Sequence, residues 1–296
     1  MRSFIALAVV GLFAQLVDGS LGMAYGVTST TLLLATGVAP AAASAAVHLS
    51  EVGTSLVSGA SHWKLGNVDW RTVGIMAVPG GVGAYAGATF LSSLPGDTAA
   101  PWMAGLLLLL VGYVLFRFLA LGGRRPQFKG HHSPLFLMPL GLVGGLMDAI
   151  GGGGWGPVGT TTLLSSGRLE PRKVVGSIDT SEFVVAVGGS LGFLFALGSQ
   201  GIEWSYAAAL LMGGVVAAPI AAWLVRRLPG RILGVLAGGL IVLTNIKTIA
   251  ESLGADGWTV AWLAAAWTAV WIQMVVVAVR AERRVQRTPD AETVTF

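Results

Sequence analysis

Asp148-Ala149-Ile150-Gly151-Gly152-Gly153-Gly154-Trp155-Gly156-Pro157 sits in the middle of an otherwise apolar stretch, residues 133–166. Glycine costs about 1 kcal/mol relative to alanine in a helix interior, so four in succession end a helix that enters at 133. Pro157, with its fixed φ, suits the first turn of a new one. A weaker copy lies near the N-terminus, Asp18-Gly19-Ser20-Leu21-Gly22-Met23-Ala24-Tyr25-Gly26. In register, Asp18 falls on Asp148, Gly22 on Gly152, Tyr25 on Trp155, Gly26 on Gly156 and Thr30 on Thr160. The correspondence continues in order. Pro40 meets Pro171, His48-Leu49-Ser50-Glu51 meets Asp179-Thr180-Ser181-Glu182, and Val68-Asp69-Trp70 meets Ile202-Glu203-Trp204. Recurrence of so many features in one order points to a duplicated chain. The expected organisation is a first repeat at 1–121, a cytoplasmic loop at 122–132 and a second repeat at 133–250. An extra transmembrane helix at 251–280 and a cytoplasmic tail at 281–296 follow.

Composition says where such a chain lives. Hydrophobic residues make up 54% and charged residues 11%, against roughly 25% charged in ordinary globular proteins. Apolar runs near 38–60, 72–93, 101–121, 173–197, 205–225, 231–250 and 258–279 are long enough to cross a bilayer. The net charge of +4 resides in the segments between these runs, so no nucleic-acid partner is implied. There is no cysteine, which removes disulfides, thiolate metal sites and a cysteine nucleophile. A cleaved signal peptide at 1–18 is disfavoured, because its repeat partner, 133–150, is internal.

The segments 3–36 and 133–166 could each cross once or turn back at the glycines. If both turn back, only Arg2 and Lys247 of the 18 Lys and Arg lie opposite the rest. The positive-inside rule then makes the crowded side cytoplasmic. If both cross once, the split is 8 against 10 and carries no orientation. Turning back leaves three crossings per repeat, an odd number, so the halves are inverted. The expected fold is an all-α polytopic membrane bundle of two inverted repeats. Each is a broken-helix hairpin plus three transmembrane helices, and one extra helix closes the chain. The expected location is the cell membrane, multi-pass, the bacterial inner membrane in particular, with lipid as surroundings and a homo-oligomer allowed. Inverted repeats with discontinuous helices belong to transporters, whose sites lie where the breaks meet.

Three groups of residues carry the expected chemistry. A helix that starts after a glycine run presents free N–H groups and a positive dipole end to an anion. The expected binding residues are Gly22, Tyr25, Gly26 and Thr30 from one break, with Gly151, Gly152, Gly153, Gly154, Trp155, Gly156, Thr160 and Thr161 from the other. The plain alternative is that the glycines only permit a tight hairpin. Glu51 and Glu182 fall within hydrophobic spans, where a charge costs about 2.5–3.5 kcal/mol by insertion scales. His48 and Asp179 lie one helical turn before them. His48/Glu51 and Asp179/Glu182 are read as two facing pairs that hold a transported proton, against a purely structural role and, least favoured, a metal or Na⁺ site. Asp18 and Asp148 would repel an anion and are read as caps of the backbone breaks. Lys247 is read as a snorkelling side chain. His62, His131 and His132 are placed in cytoplasmic loops without a specific role. No metal and no cofactor are expected.

The run Gly145-Leu146-Met147-Asp148-Ala149-Ile150-Gly151-Gly152-Gly153-Gly154, with its weaker copy Leu16-Val17-Asp18-Gly19-Ser20-Leu21-Gly22-Met23-Ala24-Tyr25-Gly26, resembles the signature of the TauE/SafE sulfite exporter family. The resemblance covers nearly the whole chain. It implies ATP-independent transport of sulfur-containing anions such as sulfite, sulfate and organosulfonates. The first motif departs from the glycine run at Ser20, Met23 and Ala24. His48-Leu49-Ser50-Glu51, Asp179-Thr180-Ser181-Glu182 and Ser61–Trp70 resemble a subset associated with sulfate or cysteine metabolism. The expected function is therefore a secondary transporter of a small sulfur-containing anion, inorganic or organic, with coupling to protons as the finer expectation. An uncoupled anion channel and a non-transporting membrane scaffold are the alternatives. The paired aspartates lack the Gly-x-Gly-Asp setting of an intramembrane protease, and an enzyme is not expected.

Overall fold

The computed structural model describes residues 2–23, 25–95, 130–166, 168–224 and 253–287, with scattered positions between 99 and 116 and between 232 and 250. Lys247 and residues 117–129 of the linker region lie outside the described residues. The described secondary structure is helical throughout: α1 (Arg2–Leu21), α2 (Tyr25–Ala35), α3 (Pro40–Lys64), α4 (Trp70–Ser92), α5 (Pro134–Gly151), α6 (Trp155–Ser166), α7 (Pro171–Leu197), α8 (Trp204–Leu224) and α9 (Gly257–Arg287).

Five helical stretches are long and apolar enough to span a membrane: Trp70–Ser92, Pro134–Gly151, Arg172–Leu197, Trp204–Leu224 and Gly257–Ala281. The chain is an all-helical, multi-pass membrane protein. Helix α3 is as long as these at 25 residues. Its serines, His48 and Glu51 dilute its apolar character because it is buried on most sides by other helices.

The broken segments divide unequally. Arms of 20 and 11 residues flank the first break, and arms of 18 and 12 residues the second. At 1.5 Å per residue the second arms are only about 17–18 Å long, well short of the ~30 Å hydrocarbon core. The first arm of each segment ends in the same way. Gly22 and Gly152 take the left-handed conformation at φ 68° and φ 67°, which costs glycine nothing. Their amides bond back to the carbonyls of Asp18 and Asp148 respectively.

Packing between helices recurs at aligned positions. A β-carbon on Gly11 of α1 would meet Leu210 of α8, and one on Gly141 of α5 would meet Met76 of α4. Gly80 lies against Trp155 and Val185, while Gly214 lies against Tyr25 and Thr54. Helix α1 thus packs on α8 and α5 on α4, so each half's first helix rests on the other half's last described one. Helices α3 and α7 face each other at the centre. His48 touches Gly189 near one end and His62 reaches Asp179 near the other, so the two run antiparallel. Backbone–backbone approaches such as Gly145 to Gly80 and Gly188 to Gly81 need glycine, since an added β-carbon would lie 2.0 Å and 2.2 Å from a carbonyl oxygen. In a bilayer such close packing replaces the hydrophobic drive that water supplies to soluble bundles.

Candidate functional site

The first turns of α2 and α6 each pack against the other half's break, through Gly26 and Gly156. A β-carbon on Gly26 would meet the Gly153 backbone at 2.7 Å, and one on Gly156 would meet Met23 at 2.5 Å. Between the two breaks the halves exchange equivalent hydrogen bonds. The Thr30 hydroxyl donates to the Gly152 carbonyl (2.6 Å), and the Thr160 hydroxyl donates to the Gly22 carbonyl. Thr161 turns instead to its own helix and donates to the Pro157 carbonyl. Both aromatic residues of the breaks are buried with their polar ends satisfied. Tyr25 Oη pairs with Ser50 Oγ at 3.0 Å, and Trp155 Nε1 donates to the Ile178 carbonyl at 3.0 Å.

The carboxylates that precede the breaks organise them. Asp148 Oδ1 accepts from the amides of Gly154 (2.7 Å) and Trp155 (2.9 Å), while the Asp148 carbonyl takes those of Gly152 and Gly153. One residue thereby holds four consecutive amides, and its own carboxylate stands where an external anion would bind the start of α6. Asp18 Oδ1 likewise accepts from Tyr25 N at 3.2 Å. Gly151 through Gly154 are buried, and the backbone at 153 is filled on its open side by Gly26 and Val27.

The buried titratable residues form two clusters, each drawn from both halves. His48 and Glu51 of α3 meet Asp148 of the second break, and Asp179 and Glu182 of α7 meet Asp18 of the first. In each trio one ligand-type atom per residue lies within 4.8 Å of the others. His48 Nε2 is 3.2 Å from Asp148 Oδ2, and His48 Nδ1 is 4.0 Å from Glu51 Oε2. Such a spacing suits a shared proton or a small cation. The i, i+3 spacing places His48 and Glu51 on one face, yet the carboxylate closest to His48 comes from the other half, which local spacing does not reveal.

His62 departs most from its expected place. It is not in a loop but in the last turn of α3 and fully buried, with Nε2 3.2 Å from Asp179 Oδ2. The Ser58 hydroxyl donates to the same carboxylate oxygen. The Asn67 side-chain amide reaches both the Ala222 carbonyl, at 3.4 Å, and His62 Nδ1, at 3.2 Å. Because a carbonyl only accepts, that contact orients the amide nitrogen toward His62, so Nδ1 accepts and Nε2 carries the hydrogen facing Asp179. The local signal was its place on the face of α3 that carries Ser55 and Ser58. His132 also packs inward, stacking on Phe136 at 5.3 Å and pairing with Ser166 Oγ at 2.7 Å. Burial, and then the charge of Arg168, hold its ring below the ordinary histidine range. His131 is half-exposed and lies 3.3 Å from Asp69 Oδ2. Asp69 caps α4 through Thr72 N (2.9 Å). Burial raises its carboxyl, but the bonds from Thr72 and the charges of His131 and Lys173 outweigh this and leave it below the usual carboxylate range.

Two cavities are lined mainly by apolar residues, and no residue of the clusters lines either. The larger, about 700 Å³, is lined by Phe90, Leu94, Trp102, Leu106, Leu109 and Ile150 among others, and reaches the end of α5. Its lining offers no charge or amide donor to an anion.

Comparison with known proteins places these features in a family. The model of the sulfite exporter TauE/SafE family matches residues 7–248. The chain is 54% identical over 252 residues to the probable membrane transporter protein YtnM of Bacillus subtilis (strain 168), covering 84% of this chain and 83% of the relative. No solved structure is a significant match.

Proposed function

We propose that this chain, which belongs to the sulfite exporter TauE/SafE family, carries a small sulfur-containing anion across the membrane together with a proton. Membership makes it a multi-pass membrane transporter rather than an enzyme. The finer reading rests chiefly on one observation: five buried carboxylates and two buried imidazoles meet at the two chain breaks, with no Lys or Arg among the groups within contact of them in the described residues. Even with both imidazoles charged, that many carboxylates cannot all be ionised away from water, so the centre must take up positive charge. Protons meet this need and fit the donor–acceptor geometry. The anion binds at the break backbones formed by Gly22, Gly26, Gly151–Gly154 and Gly156, with Tyr25, Trp155, Thr30, Thr160 and Thr161 beside them. His48, Glu51, Asp179 and Glu182 hold the proton.

Reciprocal contacts between the halves and the antiparallel course of α3 and α7 support a rocking motion of one half against the other about the contact between the two breaks. Taking a proton with each anion also lowers the charge moved against the membrane potential, about 2.3 kcal/mol per charge per 100 mV. Purified protein in liposomes, loaded or challenged with radiolabelled sulfate, sulfite and taurine under an imposed pH gradient, tests this. Accumulation that collapses when the gradient is dissipated is the expected result. Flux that never exceeds equilibration would identify an uncoupled channel, and no flux of any of the three would remove the reading.

A further inference from the structure

The hydrogen-bond directions around His48 fix where a proton must sit. His48 Nδ1 lies 3.0 Å from the Ser44 carbonyl, which can only accept. The Ser44 hydroxyl spends its hydrogen on the Ala149 carbonyl (2.9 Å), so it too faces the ring as an acceptor (3.5 Å). Nδ1 therefore carries a hydrogen. On the other side of the ring, Nε2 lies 3.2 Å from Asp148 Oδ2, and neither atom has another hydrogen-bond partner. A bare nitrogen lone pair against a bare carboxylate oxygen would repel, so one dissociable proton lies between them. Both side chains are buried, His48 at 0% and Asp148 at 1% exposure. Asp148 Oδ1, meanwhile, occupies the amides of Gly154 and Trp155 at the start of α6.

We propose that Asp148 is a built-in anion that competes with the transported one, and that the proton shared with His48 decides the competition. With that proton on His48, Asp148 is a carboxylate and holds the two amides by charge-assisted bonds, roughly twice as strong as neutral ones. With the proton on Oδ2, Asp148 is neutral, its grip on the amides weakens, and a substrate oxyanion can take them without facing a like charge. Substrate and proton then bind as a unit, which is the requirement for co-transport. Complete loss of the proton sets Nε2 and Oδ2 lone pair to lone pair and disfavours this packing. The other groups facing the pair are Glu51 on α3 and, one step further, Asp18 on α1 with Asp179 and Glu182 on α7. All are acidic and favour retention of the proton. The Phe193 ring and Gly189 on α7 close the remaining side without charge. The proposal rests on the proton-coupled reading above and gives Asp148, otherwise a backbone cap, the deciding part in it.

Asp148→Asn separates the two roles, because asparagine caps a helix start about as well as aspartate but cannot lose a proton. The test uses the full-length protein in liposomes, with whichever of sulfate, sulfite and taurine it accumulates. In the parent, apparent affinity for the anion should fall by up to tenfold per pH unit above the pair's pKa, as one linked proton requires. In Asp148→Asn, affinity for the anion should be flat with pH, and a pH gradient of one unit should no longer drive the up to ~10-fold accumulation that a one-to-one cycle gives. His48→Gln, which removes the proton's other carrier and leaves the cap intact, should lose gradient-driven accumulation as well and serves if the first variant does not insert. An Asp148→Asn or His48→Gln protein that keeps the parent's pH profile and accumulation overturns the proposal while coupling itself stands. A parent that accumulates nothing under a pH gradient removes the coupling reading, and this proposal with it.

Discussion

Replacing Gly153 by alanine puts a β-carbon against the first turn of α2, and the consequence can be worked from the backbone alone. The new atom would lie 2.1 Å from Val27 N, 2.5 Å from the Gly26 carbonyl carbon and 2.7 Å from Val27 Cα. Ordinary contact begins near 3.4 Å, so the shortest approach is 1.3 Å too close, and all three atoms belong to backbone that no rotamer change can move. The φ of 154° adds strain that an L side chain rarely accepts. Overpacking of this kind costs about 1–3 kcal/mol and a strained dihedral another 1–3 kcal/mol, so the variant should be destabilised by about 2–6 kcal/mol. At roughly 2–4 °C per kcal/mol for a chain of this size, its melting temperature in detergent should fall by about 4–24 °C. Transport should fall with it. Gly74→Ala is the control, being within α4 with nothing inside 4 Å of its added carbon, and it should be neutral or slightly stabilising. Scanning fluorimetry of both variants against the parent decides the matter. Equal melting temperatures for Gly153→Ala and Gly74→Ala would refute the view that the two breaks pack backbone to backbone.

Thr30→Val and Thr160→Val each strip a hydroxyl from a buried carbonyl of the opposite break and should cost about 1–3 kcal/mol apiece, by similar amounts, in chemical or thermal denaturation; a large cost for one and none for the other would contradict the reciprocity. Asp69, held below its ordinary pKa in the folded state, contributes stability that is present above the unfolded carboxylate pKa and lost as pH falls through the folded one. Asp69→Asn should therefore keep the α4 cap yet flatten this acid limb in melts between pH 3 and 7, and an unchanged limb would show that other groups produce it. Because the chain has no native cysteine, single cysteines at Gly130 and Ser199 can be labelled without background. Gly130 should react only from the cytoplasmic side and Ser199 only from outside, and labelling from a common side would sink the inverted topology.

Much of the architecture could be read from residue order, because membrane burial and helix interruption are local properties. A glycine run stops a helix whatever surrounds it, and Gly22 and Gly152 do end their helices with nearly identical φ. The unequal arms were less legible, since where a helix resumes after a break depends on what its first turn packs against. Pairing of the titratable residues was least legible. Spacing along α3 shows that His48 and Glu51 share a face, but which side chain opposes them is set by the crossing of two remote segments, and this brings in Asp148. His62 escaped for the same reason: beside Lys64 it resembles the end of a span, and only the approach of α7 encloses it. Met23 stands where the second break has Gly153, so the aligned positions do not have equal space. Nothing in the first break's own sequence discloses this.

The exchange of Thr30 and Thr160 across the centre carries a consequence for how such a chain could have arisen. Neither half can satisfy its own break. The carbonyl of Gly22 waits for a hydroxyl 138 positions later, and that of Gly152 for one 122 positions earlier. A single half would be complete only on meeting a second copy, each lending the other its threonine. Joining two such copies by a short tether turns a chance encounter between independently inserted molecules into a permanent one, at the millimolar effective concentrations that short tethers give. Freed from identity, the two sides could then diverge, one acquiring His48 where the other keeps Asp179.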